Sequence, residues 1–447
     1  MNTLPPTDKR IASSAERSAW GKSLRERVSR EAHAIWKPAA GRPNPVGTVE
    51  VSNAGRVPSL VPIKMGRMAT SPFGFFRGAA AVMAADLATS SPTTGIHVQL
   101  CGDAHVRNLG AFAAPDGRLV FDINDFDENM PGPWEWDLKR LATSIVLAGR
   151  EAKDGDKVCV NAVGEMVQRY RESLHRFAEM KVLELAKYEI RRRSVNATVR
   201  AVLDNAERAT PERTLKKLTE PGADGFPRFH DHPPLLEHVP DETAGKVLCS
   251  LKTYRETLNA GRRRVFDGYK PVDVAFKVVG TGSIGTRDYV VLFFGNGLDD
   301  PLFLQVKEEI LSCYLPYLPE VPPFAHQGQR VAEAQLCMQT AATDIFLGWT
   351  TIDGKDFLVR QLADHKAVID PSELKSPGLL EYALVCGEAL AKAHARTGDA
   401  AAIDGYCGKS GKLDKAIEKF ALAYARQTEK DYKAFTNAIK RGEVKAE

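Results

Sequence analysis

Apolar positions change period along the chain, and those changes predict its elements. Residues 12–37 set Trp20, Leu24, Val28, Ala32, Ile35 and Trp36 near helical spacing among dense charge, which predicts an amphipathic helix on the outside of the body or on another subunit. A Gly/Pro-bearing link is expected from Pro38 to Pro62. Ser71-Pro72 reads as an N-cap and first helical position, opening a helix over Phe73–Leu87. Two short apolar runs, Leu109–Ala113 and Arg118–Ile123, flank Pro115-Asp116-Gly117 and predict a β-hairpin. Pro131-Gly132-Pro133 then turns the chain into a buried helix over Trp134–Gly149.

Further on, residues 157–209 read as helices with basic outer faces. The runs Arg191-Arg192-Arg193 and Arg262-Arg263-Arg264 suit solvated faces or an acidic partner. Residues 210–245 form a long connection carrying His230-Asp231-His232 and His238, either a surface loop or lid or a metal site without distinctive spacing. Strands are expected at Val274–Val279, Asp288–Gly295 and Leu302–Lys307, a helix at Gly328–Thr340, a strand and hinge at Phe357–Leu362, and a helix at 377–397. The tail from Lys412 to Glu447 reads as one or two lysine-rich helices with a narrow apolar stripe, able to dock on the body or on an oligomer partner. The fold class is α+β. Its expected division is an extension and linker over 1–62, a helical lobe over 63–270, a β lobe over 271–375, and helices over 376–447 completing the helical lobe.

Composition narrows the function classes. The 447 residues are 43% hydrophobic and 26% charged, the ordinary globular mix, and a net charge of +4 gives no argument for nucleic acid or membrane. No apolar run approaches the ~18 residues of a membrane span, and Met1–Pro6 lacks a signal peptide's apolar core; a cytoplasmic protein is expected. Seven scattered cysteines without a C-x-x-C pair speak against a zinc site or disulfide framework.

The chemistry concentrates in Cys101-Gly102-Asp103-Ala104-His105-Val106-Arg107-Asn108. Asp103 and Asn108 have the D-x-x-x-x-N spacing with which a phosphoryl-transfer loop holds its base and one metal ligand. The hairpin returns Asp122, Asp125 and Asp127 beside them. Asp125 and Asp127 are the candidate metal ligands with Asn108, in that order of preference, and Asp122 suits the strand end. Gly280-Thr281-Gly282-Ser283-Ile284-Gly285, flanked by strands, fits a phosphate-covering hairpin better than a Rossmann turn. Gly280, Gly282, Ser283 and Gly285 would offer backbone N–H groups. Lys307, inside an apolar strand, needs an anion, and Glu333 on the next helix is the candidate that aims it. Arg77 could reach a phosphate, the acidic loop, or a structural ion pair.

Gly102-Asp103-x-His105-x-x-Asn108, the hairpin, Asp125-Phe126-Asp127 and Trp136-Asp137-Leu138 together resemble the catalytic segment of aminoglycoside phosphotransferases and choline kinases, within the protein-kinase-like superfamily. The run from Ser71-Pro72-Phe73 through Arg77-Gly78 to Asp137-Leu138-Lys139-Arg140-Leu141 resembles, more closely, a bacterial family labelled domain of unknown function 2252. The resemblance implies that Asp103 is the base, that His105 belongs to its loop, that Asn108 and Asp125 bind metal, and that Asp137 braces the loop. Cys101 departs from the usual His. The parts come in an unusual order, catalytic loop before glycine loop, but their cyclic order is intact, so a circularly permuted, two-lobed kinase-like fold is expected. The expected activity is an ATP- and Mg²⁺-dependent phosphotransferase acting on a small-molecule hydroxyl. Alternatives are a protein kinase or nucleotidyl transferase with the same site, a nucleotide-binding pseudokinase, and a metal-dependent phosphohydrolase.

Overall fold

The computed structural model describes residues 12–191, 196–223, 225–278, 280–362 and 365–447. Helices and strands mix as α+β. Six antiparallel strands form the largest sheet, in the spatial order Gly348–Ile352, Lys355–Gln361, Pro301–Glu308, Asp288–Phe294, Lys270–Lys277, Leu236–His238. Its two central strands are buried along their whole length, which is why they read as continuous apolar runs rather than alternating ones.

Side chains still alternate in direction along those strands. Val291, Phe293, Leu302, Leu304 and Val306 pack with Leu251 and Tyr254 of the Asp241–Thr257 helix. Val290, Leu292 and Phe303 pack on the other side with Phe229. Lys307 and Gln305 share the parity of Phe303, so one end of that second face turns polar.

The main core lies in the helical body. The Trp134–Glu151 helix is buried from Trp134 to Gly149 and packs with Asp156–Glu179, Gly378–Thr397 and Lys412–Lys440. Trp134 stacks on Tyr170 at 5.9 Å between ring centroids, a contact worth ~0.5–1.5 kcal/mol beyond burial. The hairpin Leu109–Ala113/Leu119–Ile123 sits in a four-stranded sheet between Ala367–Val368 and Ile190–Arg191. Among the described residues, no helix is long and apolar enough to cross a membrane.

Several expected elements come out differently. Residues 12–37 are not one helix: an α-helix runs Ser14–Ser23, followed by short 3₁₀ turns at Leu24–Glu26 and Arg30–Ala34. Ser29 caps the second turn, while Arg25 and Arg30 reach the carbonyls of Tyr406 and Cys407 at 2.8 and 2.9 Å, the C-terminal end of another helix. Cations there meet the negative end of the helix dipole. The 38–62 link contains a helix, Pro45–Val51, capped by Asn44. The helix expected over Phe73–Leu87 breaks at Ala79, giving Pro72–Gly78 and Ala80–Ser90; at the break, the Phe76 carbonyl accepts from Arg140 at 3.0 Å. Residues 210–245 hold the helix Pro211–Leu218 and strands Thr219–Pro221, Pro227–Phe229 and Leu236–His238, because Leu236 and Phe229 find a sheet face to cover. The tail is one helix, Lys412–Lys440. Met1–Pro6, Arg192, Arg193 and Val279 lie outside the described residues.

Candidate functional site

The catalytic-type loop is built from beneath. Asp137, in the first turn of the central helix, accepts the backbone N–H groups of Cys101 and Gly102 at 2.7 and 3.0 Å. His394 approaches the same carboxylate at 3.4 Å, and its Nδ1 meets the Tyr170 hydroxyl at 2.7 Å. Gly102 has φ +82°, and a Cβ there would stand 2.0 Å from the Glu128 carbonyl oxygen, so only glycine fits. Asn108 donates to the Asp103 carbonyl at 3.0 Å, tying the two ends of the loop and leaving the amide oxygen of Asn108 unspent.

Asp103 is held by a residue to which the sequence assigned no role. Arg140 Nε donates to Asp103 Oδ1 at 2.7 Å, and its guanidinium lies 4.2 Å over the Phe76 ring. His105 stands 3.6 Å from Asp103 Oδ2. Burial pushes Asp103 up to about 6 despite the arginine, a value suited to a base near neutral pH. Burial, with Arg77, Arg140 and Arg107 nearby, drives His105 well below its ordinary value, so it is neutral there.

The acidic loop follows. Asp122 stays in its strand, paired with Lys392 in the core. Asp127 pairs with Lys307, although 180 residues separate them in the chain. Burial and the neighbouring Asp127 raise Asp125, whereas Asp127, despite its own burial, is pulled far below the carboxylate range by Lys307 and Arg360. Lys307 is correspondingly raised: Asp127, Glu309 and Asp125 outweigh its burial. Arg330 clamps the loop through the carbonyls of Asp127, Asn129 and Ile310 at 2.7–2.9 Å.

Glu333 is not the partner of Lys307. It is exposed and accepts from Gln329 on its own helix at 2.7 Å. The helix Gln327–Gln339 turns Arg330, Val331 and Ala334 inward, and Glu309, two residues after Lys307, supplies the second carboxylate at 3.8 Å.

The glycine hairpin is pinned at both ends. Gly280 and Gly285 have φ +72° and +93°, and three hydrogen bonds hold the loop: Arg67 donates to the Gly280 carbonyl at 2.7 Å, Arg56 to that of Ile284 at 2.6 Å, and the Val57 N–H to that of Gly285 at 2.7 Å. A Cβ on Gly282 would meet the Arg77 carbonyl at 3.3 Å.

The loop, the acidic cluster and the glycine hairpin face one cavity of about 1420 Å³. Asp103, His105, Asn108, Asp125, Asp127, Gly280, Gly282, Ser283 and Lys307 line it; Asp137 lies beneath, and Gly285 and Glu333 do not line it. Among the described residues, none of 210–245 lines it; His238 pairs with Asp231 at 3.0 Å. Further cations that sequence reasoning passed over also line the cavity, among them Arg56, Lys64, Arg107, Arg360 and Lys366. Arg360 donates to Gln305 at 2.9 Å, and Gln305 to Asp288 at 2.6 Å, extending the polar end of the sheet face. Burial and nearby Arg360 lower Lys366 to about 7. Among the described residues, no group of three His, Cys, Asp or Glu side chains is arranged to hold a metal ion.

Residues 56–438 match the family described as "Uncharacterized protein conserved in bacteria (DUF2252)". No curated protein and no solved structure matches the chain.

Proposed function

The chain belongs to the DUF2252 family, and from the contents of its cavity we propose that it is an ATP- and Mg²⁺-dependent phosphotransferase acting on a hydroxyl of a small molecule. One observation carries the reading: Lys307, on the strand after a glycine hairpin, meets Asp127 in the cavity that also holds Asp103 and Asn108. A glycine loop, a lysine on the third strand, a base and an amide ligand are the parts with which phosphoryl transfer is run by positioning and charge.

Each residue has a task on this reading. Arg140 holds Oδ1 of Asp103, leaving Oδ2 to accept the acceptor's proton as its oxygen bonds to the terminal phosphorus and the bond to the diphosphate breaks. The glycine hairpin contributes backbone donors to the phosphates, Lys307 a positive charge. Mg²⁺ typically uses one or two carboxylates plus phosphate oxygens. Asp125 and Asp127 lie together, Asp127 Oδ1 is buried without a partner, and Asn108 has its amide oxygen to spare, so these three would hold the ion. When bound, it neutralises phosphate charge. The order of the parts supports a circularly permuted kinase-like fold, with Phe357–Leu362 as the strand and hinge.

A thermal-shift titration tests the reading. Mg-ATP at ~100 times its dissociation constant should stabilise the wild type by ~2.7 kcal/mol, and Lys307→Ala and Asp125→Ala should each abolish the shift. No shift, or a shift that only Asp125→Ala removes, would sink the reading in favour of a metal-dependent hydrolase.

A further inference from the structure

We propose that Arg77 and Arg107 form an oxyanion-binding subsite beside Asp103, separate from the phosphate contacts at Lys307. It deepens the phosphotransferase reading but stands on its own observations.

The first is a pair of cations without an anion. Both arginines line the cavity, Arg107 from the catalytic loop and Arg77 from the last turn of Pro72–Gly78. Among the described residues neither makes a hydrogen bond or ion pair through its side chain, and the Nε of Arg77 is buried with nothing to donate to. Arginines elsewhere in the structure are treated differently: Arg140 has Asp103, Arg42 has Asp86 and Asp431, and Arg171 has Asp414. Burial lowers Arg77 to about 10, Arg107 adds repulsion, and Asp103, Asp125 and Glu151 compensate only from a distance. Two guanidiniums that repel each other in one partly dry cavity wall are costly without a counter-charge.

The second is position. The carbonyl of Arg77 lies against Gly282 of the glycine hairpin, and Arg107 is in the same loop as the base. The pair therefore stands where the hairpin meets Asp103, whereas Arg360 and Lys366 accompany Lys307 at the sheet. The third is room. A cavity of about 1420 Å³ exceeds the ~300–1,000 Å³ of ordinary single-ligand pockets. Its wall beyond Arg77, formed by Thr48, Val51, Ala81, Leu311 and Tyr317, belongs to neither the glycine hairpin nor the acidic loop. Guanidiniums bind planar or tetrahedral oxyanions bidentately, so the ligand group is a phosphate or a carboxylate. It is either the terminal phosphate of the donor or an anionic group on the acceptor.

Calorimetric titration of the full chain with inorganic phosphate, Mg-ADP and Mg-ATP decides it, using Arg77→Met, Arg107→Met, the double variant, Arg77→Lys and Lys307→Met. Phosphate should bind the wild type with Mg-ADP present; the double variant should weaken it at least tenfold while changing Mg-ADP affinity less than threefold, and Arg77→Lys, which keeps the charge but not the fork, should weaken it less than Arg77→Met. The melting temperature of the ligand-free double variant should stay the same or rise, because an unpaired cation pair has been removed; structural arginines would lower it. Loss of the wild type's preference for Mg-ATP over Mg-ADP assigns the subsite to the donor's terminal phosphate. An unchanged preference, with loss of phosphate binding on top of a non-hydrolysable Mg-ATP analogue, assigns it to the acceptor. Phosphate binding that is absent, unchanged in the double variant, or lost only in Lys307→Met overturns the proposal. If Mg-ADP fails to bind while phosphate still depends on both arginines, the phosphotransferase reading falls and the subsite stands.

Discussion

Two lysine–aspartate pairs in this protein have the same chemistry in different surroundings. Lys392, on the Gly378–Thr397 helix, meets Asp122 in the core, with side-chain exposures of 1% and 2%. Lys307 meets Asp127 at the cavity, with exposures of 3% and 23%. The core pair is sealed: burial lowers Lys392 even against the pull of Asp122. The cavity pair has further acid around it, Glu309 at 3.8 Å and Asp125 beyond, so Lys307 is held charged. One pair fixes where a strand docks on a helix. The other stands at a cavity lined by charges of both signs, Asp125, Arg360 and Lys366 among them.

Breaking the sealed pair should cost most. Lys392→Met strands a buried carboxylate and should lower stability by ~3–5 kcal/mol in urea denaturation, with Asp122→Asn in the same chain recovering most of the loss through coupling. Lys307→Met should cost less, ~1–2 kcal/mol at pH 7.5, because Asp127 is partly solvated. That cost should shrink towards pH 5. Asp125 and Glu309 are already raised by burial and by neighbouring acid; without the lysine they rise further, the native state holds more protons than the unfolded chain, and acid favours it. A Lys307→Met loss that is constant with pH would remove the distinction between the pairs. A further effect, confined to one pH window, concerns Asp288, opposite Lys307 in the strand register, which burial pushes up to about 7. Between the unfolded value near ~4 and that figure, the native state keeps a proton that the unfolded chain gives up, so stability falls as pH rises through this window and levels off above it. Asp288→Asn should therefore flatten this dependence, stabilising the protein at pH 8 and leaving it unchanged at pH 4 in urea denaturation.

What could be read in the sequence was local. The Gly102–Asn108 loop and its hairpin follow from spacing within two dozen residues, and Asp137 from a carboxylate in a first helical turn. The strands around 280–285 were legible because their apolar runs are short and bounded by glycine. The pairing of Lys307 was not, since its partner lies in another part of the chain and no local pattern points across 180 residues. Glu333 misled because Val331, Ala332 and Ala334 surround it with apolar neighbours, so periodicity does not fix which way the helix is rotated. The buried charge of Arg330 is what turns that helix. Arg140 was hidden in the run Asp137-Leu138-Lys139-Arg140, where nothing in sequence separates a core arginine from an exposed one. The early helix was over-extended because Arg25 and Arg30 answer to carbonyls near residue 406 rather than to their own turns.

The segment that follows Lys307 links the two sides of the cavity. Ser312 donates to the Glu128 carbonyl at 2.9 Å, the Cys313 N–H to the Glu128 carboxylate at 2.7 Å, and the Tyr314 hydroxyl to the Gly102 carbonyl at 2.7 Å. Within seven residues the chain passes from the lysine to the floor of the aspartate loop. That short tether ties the sheet to the aspartate loop on this side, while Arg56 and Arg67 tie the glycine hairpin to the preceding segment. A load applied to Lys307 is felt at Gly102 through covalent bonds and three hydrogen bonds, without passing through solvent.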